Sequence, residues 1–407
     1  MDATTAGRLR VFGALRHRDF RLLWSGQVVS LIGDGAFLTA LGWRTFTLAG
    51  SGSLGVVLLA NALALLATLL LGGALGDRLP RKTLMIASDV WRFGAVAALA
   101  VVDASGHLSF SLLLVLAVLV GLGDGLFYPA FGGIVPLVVD APSIPSASSL
   151  MGMARWGSLF VGPAIAGGIY GAAGSATVFA ADAVSFLVSA ALLLLARPRA
   201  VDPAPKEGAW REIVAGVRYV SGVPWLWVTI ILFSLVLMLQ LAPQQVLLPK
   251  LVHEHFGLGV AAYGVLTSAF GLGTVAGTLL FGQLQPRRRR GVLSYWIWIV
   301  NSGGIVAVAL SPWYAPAVAV AALRGGLVGF GVAVWETMLM ELVPENLLSR
   351  VISLDYFGSY GLMPVGLGLS AAVSGLAGPG TIIAGGAVLS AVLFAIFLPQ
   401  PWLRAVD

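Results

Sequence analysis

Asp34, Asp124 and Glu336 each stand inside an apolar run long enough to cross a bilayer. An ionised carboxylate is costly there, about 2.5–3.5 kcal/mol at a helix centre on insertion scales. Such a group must face a water-filled space, meet a base, or carry a proton. Because burial disfavours its charged form, it can trade a proton near neutral pH for a cationic or hydrogen-bonding substrate. Asp34 and Glu336 lead for that role, and Asp124 has the alternative of pairing with a nearby base. Arg155 and Arg324 are the obvious internal bases. Arg155 reads equally as an acid's ion-pair partner and as a binder of an anionic group. Asp89 and Arg92, three apart, share a helix face and are expected to form a structural pair near the cytoplasmic end. Gln240, Gln244 and Gln245 flank Pro243, whose ring frees a backbone carbonyl, so they are candidate hydrogen-bonding groups at a kink. Arg44, near the outer end of the first span, is expected to snorkel. Asp182 has no role that its neighbours in sequence suggest.

Other chemistries find little support. The chain has no cysteine, which removes disulfides and thiolate metal sites. His17, His107, His253 and His255 are scattered, and "HEHF" lacks metalloprotease spacing. No phosphate-cradling Gly-x-x-x-x-Gly-Lys loop is present, so energy from direct ATP hydrolysis is not expected. No nucleophile, base and orienter come together as an enzyme would need. No resident cofactor or metal is implied, and no soluble basic face offers a nucleic-acid site.

The elements that must position these groups follow from composition. Of 407 residues 58% are hydrophobic and 10% charged, with a mean hydropathy of +0.94. A soluble domain carries about 25% charged residues, so lipid must be the solvent for much of this chain. Stretches of span length are centred near residues 34, 65, 93, 119, 158, 186, 238, 271, 300, 326, 360 and 388, which predicts about twelve transmembrane helices. The first follows arginines as a signal peptide would, but Asp34 interrupts it and further spans follow, so cleavage is not expected. Lys and Arg gather on one side: the N-terminal segment, Arg78 to Lys82, Arg197 to Arg218, Arg287 to Arg290, Arg350 and Arg404. The opposite loops hold essentially Lys250 alone. The positive-inside rule then places both termini in the cytoplasm of a bacterial-type plasma membrane.

The stretch "RPRAVDPAPKEGAWREIVAGVRYVSG" (197–222) is the only long polar segment, and from Trp210 onward it turns amphipathic. It predicts a cytoplasmic linker with a helix lying on the membrane surface. The expected organisation is a basic segment (1–21), a first six-helix bundle (22–196), the linker (197–222), a second six-helix bundle (223–398) and a short tail (399–407). The halves read as repeats. "GDRLPRK" (76–82) recurs as "GQLQPRR" (282–288), and "GLGDGLFYPAFGGIVP" (121–136) aligns with "GFGVAVWETMLMELVP" (329–344). "SSLMGMARWGSLFVGPAIAG" (148–167) aligns with "SRVISLDYFGSYGLMPVGLG" (349–368), which puts Asp355 one place before Tyr356, the counterpart of Arg155. Parallel six-helix repeats carry a substrate site at their interface in transporters. Glycine clusters inside spans, such as "GLGTVAG" (271–277), read as helix packing.

Over nearly its whole length the chain resembles a major facilitator superfamily (MFS) transporter. Gly73, Asp77, Arg78, Arg81 and Lys82 supply the loop signature Gly-x-x-x-Asp-Arg-x-x-Arg-Lys, with Pro80 where that family often has Gly. "GPAIAGG" (162–168), with Gly162, Pro163 and Gly167, is similar to the fifth-helix signature of drug–proton antiporters, with one extra residue in its spacing. "HRDFRLLWSGQVVSLIGD", "WETMLMELVP" and "RVISLDYFGSYGLMPVG" are most similar to the branch with macrolide-efflux and enterobactin-exporter proteins.

The resemblance implies an all-α fold of two pseudo-symmetric six-helix bundles in which spans one, four, seven and ten line a cavity. Asp34, Asp124 and Glu336 fall on three of those four. Trp43, Trp156, Trp335, Phe127 and Tyr128 are then near cavity helices and offer an apolar, stacking-capable wall, although core or lipid contact is the commoner role for any one of them. It also implies a gate: Asp77 accepting hydrogen bonds from the start of span eleven, with Arg78, Arg81 and Lys82 also setting topology. The expected activity is proton-coupled efflux of amphipathic, drug-like compounds by alternating access, with protons, lipid and a small substrate as partners of a monomer. An importer, a siderophore exporter or a lysophospholipid transporter fits the same fold. A non-transporting sensor is the alternative of another class, and it would want a sizeable soluble output domain.

Overall fold

The computed structural model describes residues 12–76, 79–199, 209–284, 286–404 and 406. Among them the secondary structure is helical throughout. A 3-10 turn (Gly13–Arg16) leads into α1 (Arg18–Gly76), followed by α2 (Arg81–Ala104), α3 (Phe110–Val138), α4 (Ile144–Ala173) and α5 (Ser175–Leu195). Then come α6 (Ala209–Gly222), α7 (Pro224–Val236), α8 (Ala242–Lys250), α9 (Val260–Leu284), α10 (Arg290–Leu310), α11 (Tyr314–Leu342), α12 (Glu345–Tyr360), α13 (Met363–Val373), α14 (Pro379–Phe397) and α15 (Pro401–Arg404).

Nine helical stretches among the described residues are long and apolar enough to cross a membrane. The first of them holds two expected spans, because α1 breaks at Gly50, whose φ of 82° is left-handed backbone that glycine adopts without steric cost. Two expected spans fall outside the nine. One is α4, which carries Arg155, and the other is the α12–α13 pair, which carries Glu345, Arg350 and Asp355. All twelve expected centres lie in helical segments.

Helix ends follow local chemistry. Ser109 caps α3 by accepting from the Leu112 amide. Prolines open α7 and α14, where a missing N–H costs nothing. Residues 237–241 and 251–255 are π-helical turns, so the seventh span is a helix twice widened. The first widening falls beside Pro243, where the sequence places a kink. The linker helix α6 packs on α7 and α12.

Two compact units divide the chain. One comprises Met1–Ala49, Val57–Ala204 and Val260–Gly264, and the other Gly50–Val56, Pro205–Gly259 and Val265–Asp407. The first is built round α2, which packs on α3 and α5. Its buried face runs Leu84, Met85, Ser88, Asp89, Arg92, Ala95, Val96, Leu99, Ala100 and Asp103, the three- and four-residue spacing of one helix side. The second is built round α10, which packs on α11 and α14 and buries Ser294, Tyr295, Trp298, Asn301, Ser302 and Ile305.

Candidate functional site

In the first unit the charges converge on one guanidinium. Arg92 is 2% exposed and donates to the Asp89 carboxylate one turn earlier and to Asp124 Oδ1 on α3 at 3.1 Å. Its plane lies between two rings, with the guanidinium carbon 4.2 Å from the Phe127 centroid and 4.4 Å from that of Phe186. Aromatic faces attract a desolvated cation, so packing and charge act together. The expected Asp89–Arg92 pair is therefore present, but it is not a purely local one. Asp89 lies about 12 Å along α2 from its start, and Asp124 makes it a triad.

Asp34 and Asp182 complete the cluster. Asp34 lies half-buried on α1 within electrostatic reach of Arg92, Asp124 and Asp89. Asp182, on α5, is 1% exposed and within reach of Asp34, Arg92 and Asp124. One of its oxygens accepts from Ser185 at 3.2 Å, and the other has no partner. Gly33 makes room for it, since a Cβ there would stand 2.4 Å from Asp182 Oδ1. Tyr128, one turn beyond Asp124, feels Asp124, Asp34, Arg92 and Arg155. Arg155 itself is exposed on α4 and makes no ion pair among the described residues. Sequence reasoning left Asp182 unplaced, because only the rotation of α5 aims it at α1.

The fifth-helix motif also packs on α1. A Cβ on Gly162 would stand 2.7 Å from the Gly35 carbonyl carbon, and one on Gly35 would stand 2.9 Å from the Ser158 carbonyl oxygen. Gly167 meets Ala261 and Gly264, and Gly264 lies against the Pro163 carbonyl. Gly162→Ala is expected to lower stability by about 1–3 kcal/mol through overpacking. Thermal unfolding in detergent measures it, and an unchanged midpoint would remove the packing role.

Two readings change. Arg44 does not snorkel: its Nε pairs with Asp103 Oδ1 at 2.7 Å, and Ser175 donates to the same carboxylate. The partner sits 59 residues away on another helix, which sequence spacing does not reveal. Asp77 and Arg78 of the gate signature lie outside the described residues, and the burial of Gly73 is likewise not described. Arg81 donates to the Gly133 carbonyl, and Lys82 donates to the carbonyls of Leu194 and Ala196 at 2.8 and 2.7 Å, where a cation favourably caps the end of α5.

The second unit solves the same packing problem without a charge. In the repeat register that aligns Gly76 with Gly282, Asp89 and Arg92 correspond to Tyr295 and Trp298. Trp298 has two ring neighbours, Phe233 at 4.9 Å and Phe394 at 6.5 Å, which also meet each other at 5.9 Å. Tyr295 meets Phe394 at 5.2 Å and shares a hydrogen bond with Thr229. Polar chemistry in this unit gathers at the first π turn instead. Gln240 Nε2 donates to Ser302 at 2.8 Å, Gln244 Nε2 donates to the Gln240 carbonyl at 2.8 Å, and Arg324 Nη2 donates to Gln244 Oε1 at 3.0 Å. Gln245 is exposed. Asp355 is held separately, accepting from Trp335 Nε1 at 3.1 Å, and Trp335 stacks on Phe233. Glu336 is exposed on α11, on a different side from the buried Arg324. Of the suggested wall, Phe127 faces Arg92, Trp43 stacks on Tyr263 at 6.0 Å, and the Trp156 side chain lies outside what is described. Among the described residues no group of three His, Asp or Glu is placed to hold a metal ion.

Helices of membrane-spanning length, a broken seventh span and ionisable groups buried between helices define a multi-pass secondary transporter of the major facilitator type. The family model for transmembrane secretion effectors matches residues 10–406, and the chain belongs to that family. Over 352 residues it is 27% identical to the enterobactin exporter EntS of Salmonella choleraesuis, covering 82% of this chain and 80% of the relative. Over 346 residues it is 25% identical to the enterobactin exporter EntS of Escherichia coli, with the same coverage. Solved structures share the fold. One is a bacterial homologue of the human lysosomal transporter Spinster, inward-facing and unoccupied (TM-score 0.72, 14% identity, 95% of this chain and 97% of that one). Another is a bacterial homologue of the iron transporter ferroportin, also inward-facing (TM-score 0.68, 18% identity, 94% and 99%).

Proposed function

We propose that this chain is a proton-coupled exporter of amphipathic small molecules. The observation that carries the reading is the cluster of Asp34, Asp89, Asp124 and Asp182 round the single guanidinium of Arg92. Two like charges 4 Å apart repel by about 4 kcal/mol at an effective dielectric of 20. Four carboxylates and one cation therefore do not all ionise together in a bundle interior, and the cluster holds exchangeable protons. One charge moved through 100 mV is worth about 2.3 kcal/mol, enough for a substrate gradient of roughly fifty-fold. Asp34, half-buried and in no ion pair among the described residues, is the proton carrier, with Glu336 as the second acid. Arg92 holds Asp89 and Asp124 in place.

Export as the direction draws on the curated relatives, which are enterobactin exporters. The same observation favours a second reading, a siderophore as cargo in place of drug-like compounds. In either case the protein works as a monomer in a bacterial-type plasma membrane, with both termini cytoplasmic, and six-helix bundles at 22–196 and 223–398 are joined by the linker at 197–222.

Proteoliposome flux under an imposed pH gradient tests the proposal, with macrolides, lipophilic cations, lysolipids and a catecholate siderophore as cargo. Asp34→Asn is expected to abolish the part of flux that depends on the gradient while the protein still folds. Glu336→Gln is expected to act in the same direction. Full gradient-driven flux in both variants would remove the coupling role of these acids, and flux blind to the gradient in the unmodified protein would end the proton-coupled reading.

A further inference from the structure

A cation buried in a bilayer is costly, and such groups pair with one another or with backbone carbonyls. Arg92 and Arg44 follow that rule with aspartates. Arg324 does not. It is 7% exposed on α11, and no carboxylate among the described residues stands within ion-pair distance or electrostatic reach of it. Its one hydrogen bond there goes to the neutral Oε1 of Gln244. Nε is buried with no acceptor, and the Phe270 ring centroid, 5.5 Å from the guanidinium carbon, is its aromatic neighbour. A guanidinium presents its N–H groups as a planar fork that matches an anion through two parallel hydrogen bonds. Here much of that fork is unused.

The surroundings are built for a polar guest. Gln244 and Gln240 continue the chain of hydrogen bonds from Arg324 to Ser302. Asn301 Oδ1 and Trp298 Nε1, buried on α10, likewise have no partner. Gln240 lies in the π turn Leu237–Leu241, and π bulges concentrate at functional sites. Gly304 leaves the arm of Arg324 its space, since a Cβ there would stand 2.5 Å from Arg324 Cγ. Tyr314, the start of α11, is about 15 Å of helix from Arg324, roughly half the hydrocarbon thickness. A lipid headgroup does not sit at that depth, whereas a transported molecule passes through it.

We propose that Arg324, supported by Gln244 and Gln240, binds an anionic group of the transported molecule, such as a carboxylate. This deepens the transport reading and rests on it for the identity of the guest. The test measures binding at fixed pH, so failure of proton coupling or of export direction registers separately.

The protein in phosphatidylcholine nanodiscs is titrated with naphthoate, naphthylmethanol and naphthylmethylamine, and binding is read from quenching of tryptophan emission. Naphthoate is expected to bind about tenfold or more tighter than the neutral and cationic analogues, the scale of one charge-assisted hydrogen bond. Arg324→Gln should reduce naphthoate to the level of the alcohol, and Arg324→Lys should keep part of the preference. Equal affinity for all three ligands, or an anion preference that survives Arg324→Gln, overturns the proposal. Should Arg324→Gln lack a melting transition, Gly304→Ala decides: it keeps the charge but displaces the side chain, and an unchanged preference in that folded variant also overturns it. Adding phosphatidylglycerol to the nanodiscs is expected to leave naphthoate affinity unaltered, and competition by that lipid would assign the site to a headgroup instead of cargo.

Discussion

Arg92→Leu is expected to lower stability by about 3–5 kcal/mol, the cost of leaving a buried charge without its partner. The substitution removes the cation that faces Asp89 and Asp124 and empties the slot between Phe127 and Phe186. Protonation of both aspartates would relieve part of the penalty, so the loss should be greatest at high pH and smaller as pH falls. Combining Arg92→Leu with Asp89→Asn and Asp124→Asn should restore much of the thermal midpoint, because no unmatched charge then remains. The triple variant should still fail to transport against a gradient, having lost most of the proton-holding cluster. Unfolding monitored by fluorescence in detergent, across pH, gives the answer. A single variant that melts like the unmodified protein at every pH would mean that the triad is not a charge network.

The second large effect is expected at the crossing of α9 and α11. A Cβ on Gly325 would stand 1.9 Å from the Phe270 carbonyl oxygen, and one on Gly329 would stand 2.0 Å from that of Thr274. Gly273 and Gly277 on α9 meet the carbonyls of Ala322 and Gly326 at 1.8 and 1.9 Å in the same sense. These are backbone atoms, which cannot swing aside, so the helices themselves must part. In lipid, association of helices rests on such close packing more than on a hydrophobic force between them. Gly325→Val should therefore cost about 3 kcal/mol, and it should weaken anion binding by shifting the neighbouring Arg324. Gly326 is the internal control. A Cβ there has nothing nearer than the Gly273 carbonyl oxygen at 3.7 Å, an ordinary contact. Gly326→Ala should be neutral or stabilising, by up to about 1 kcal/mol from helix propensity. Similar melting of the two variants would show that the crossing does not depend on bare backbone at Gly325.

These cases mark where sequence reasoning stops. "GLGTVAG" is legible as helix packing, because glycines at helical spacing inside a span have few other uses. Which of two adjacent glycines has its Cβ position against the partner is not legible, since that depends on the rotation of α11 about its axis. The Asp89–Arg92 contact follows from a spacing of three, a property of any helix. Asp124 as third member, Asp182 against Gly33, and Asp103 beneath Arg44 each join groups on different helices. The repeat gives a further example. Its register aligns Arg92 with Trp298, yet nothing in the alignment says that each meets two aromatic rings.

By itself the sequence determined that this chain lives in a bilayer, where its helices run, and which ionisable residues pay to be there. Hydropathy is a sum along one segment, and charge cost is a property of one residue in its solvent, so both survive without a fold. Tertiary structure alone decided the partners: one arginine gathers aspartates in the first unit, and another in the second meets a glutamine and an aromatic ring. Partnership depends on how each helix is turned and how closely its neighbours approach, and a difference of one residue in that rotation would exchange a buried pair for an exposed one.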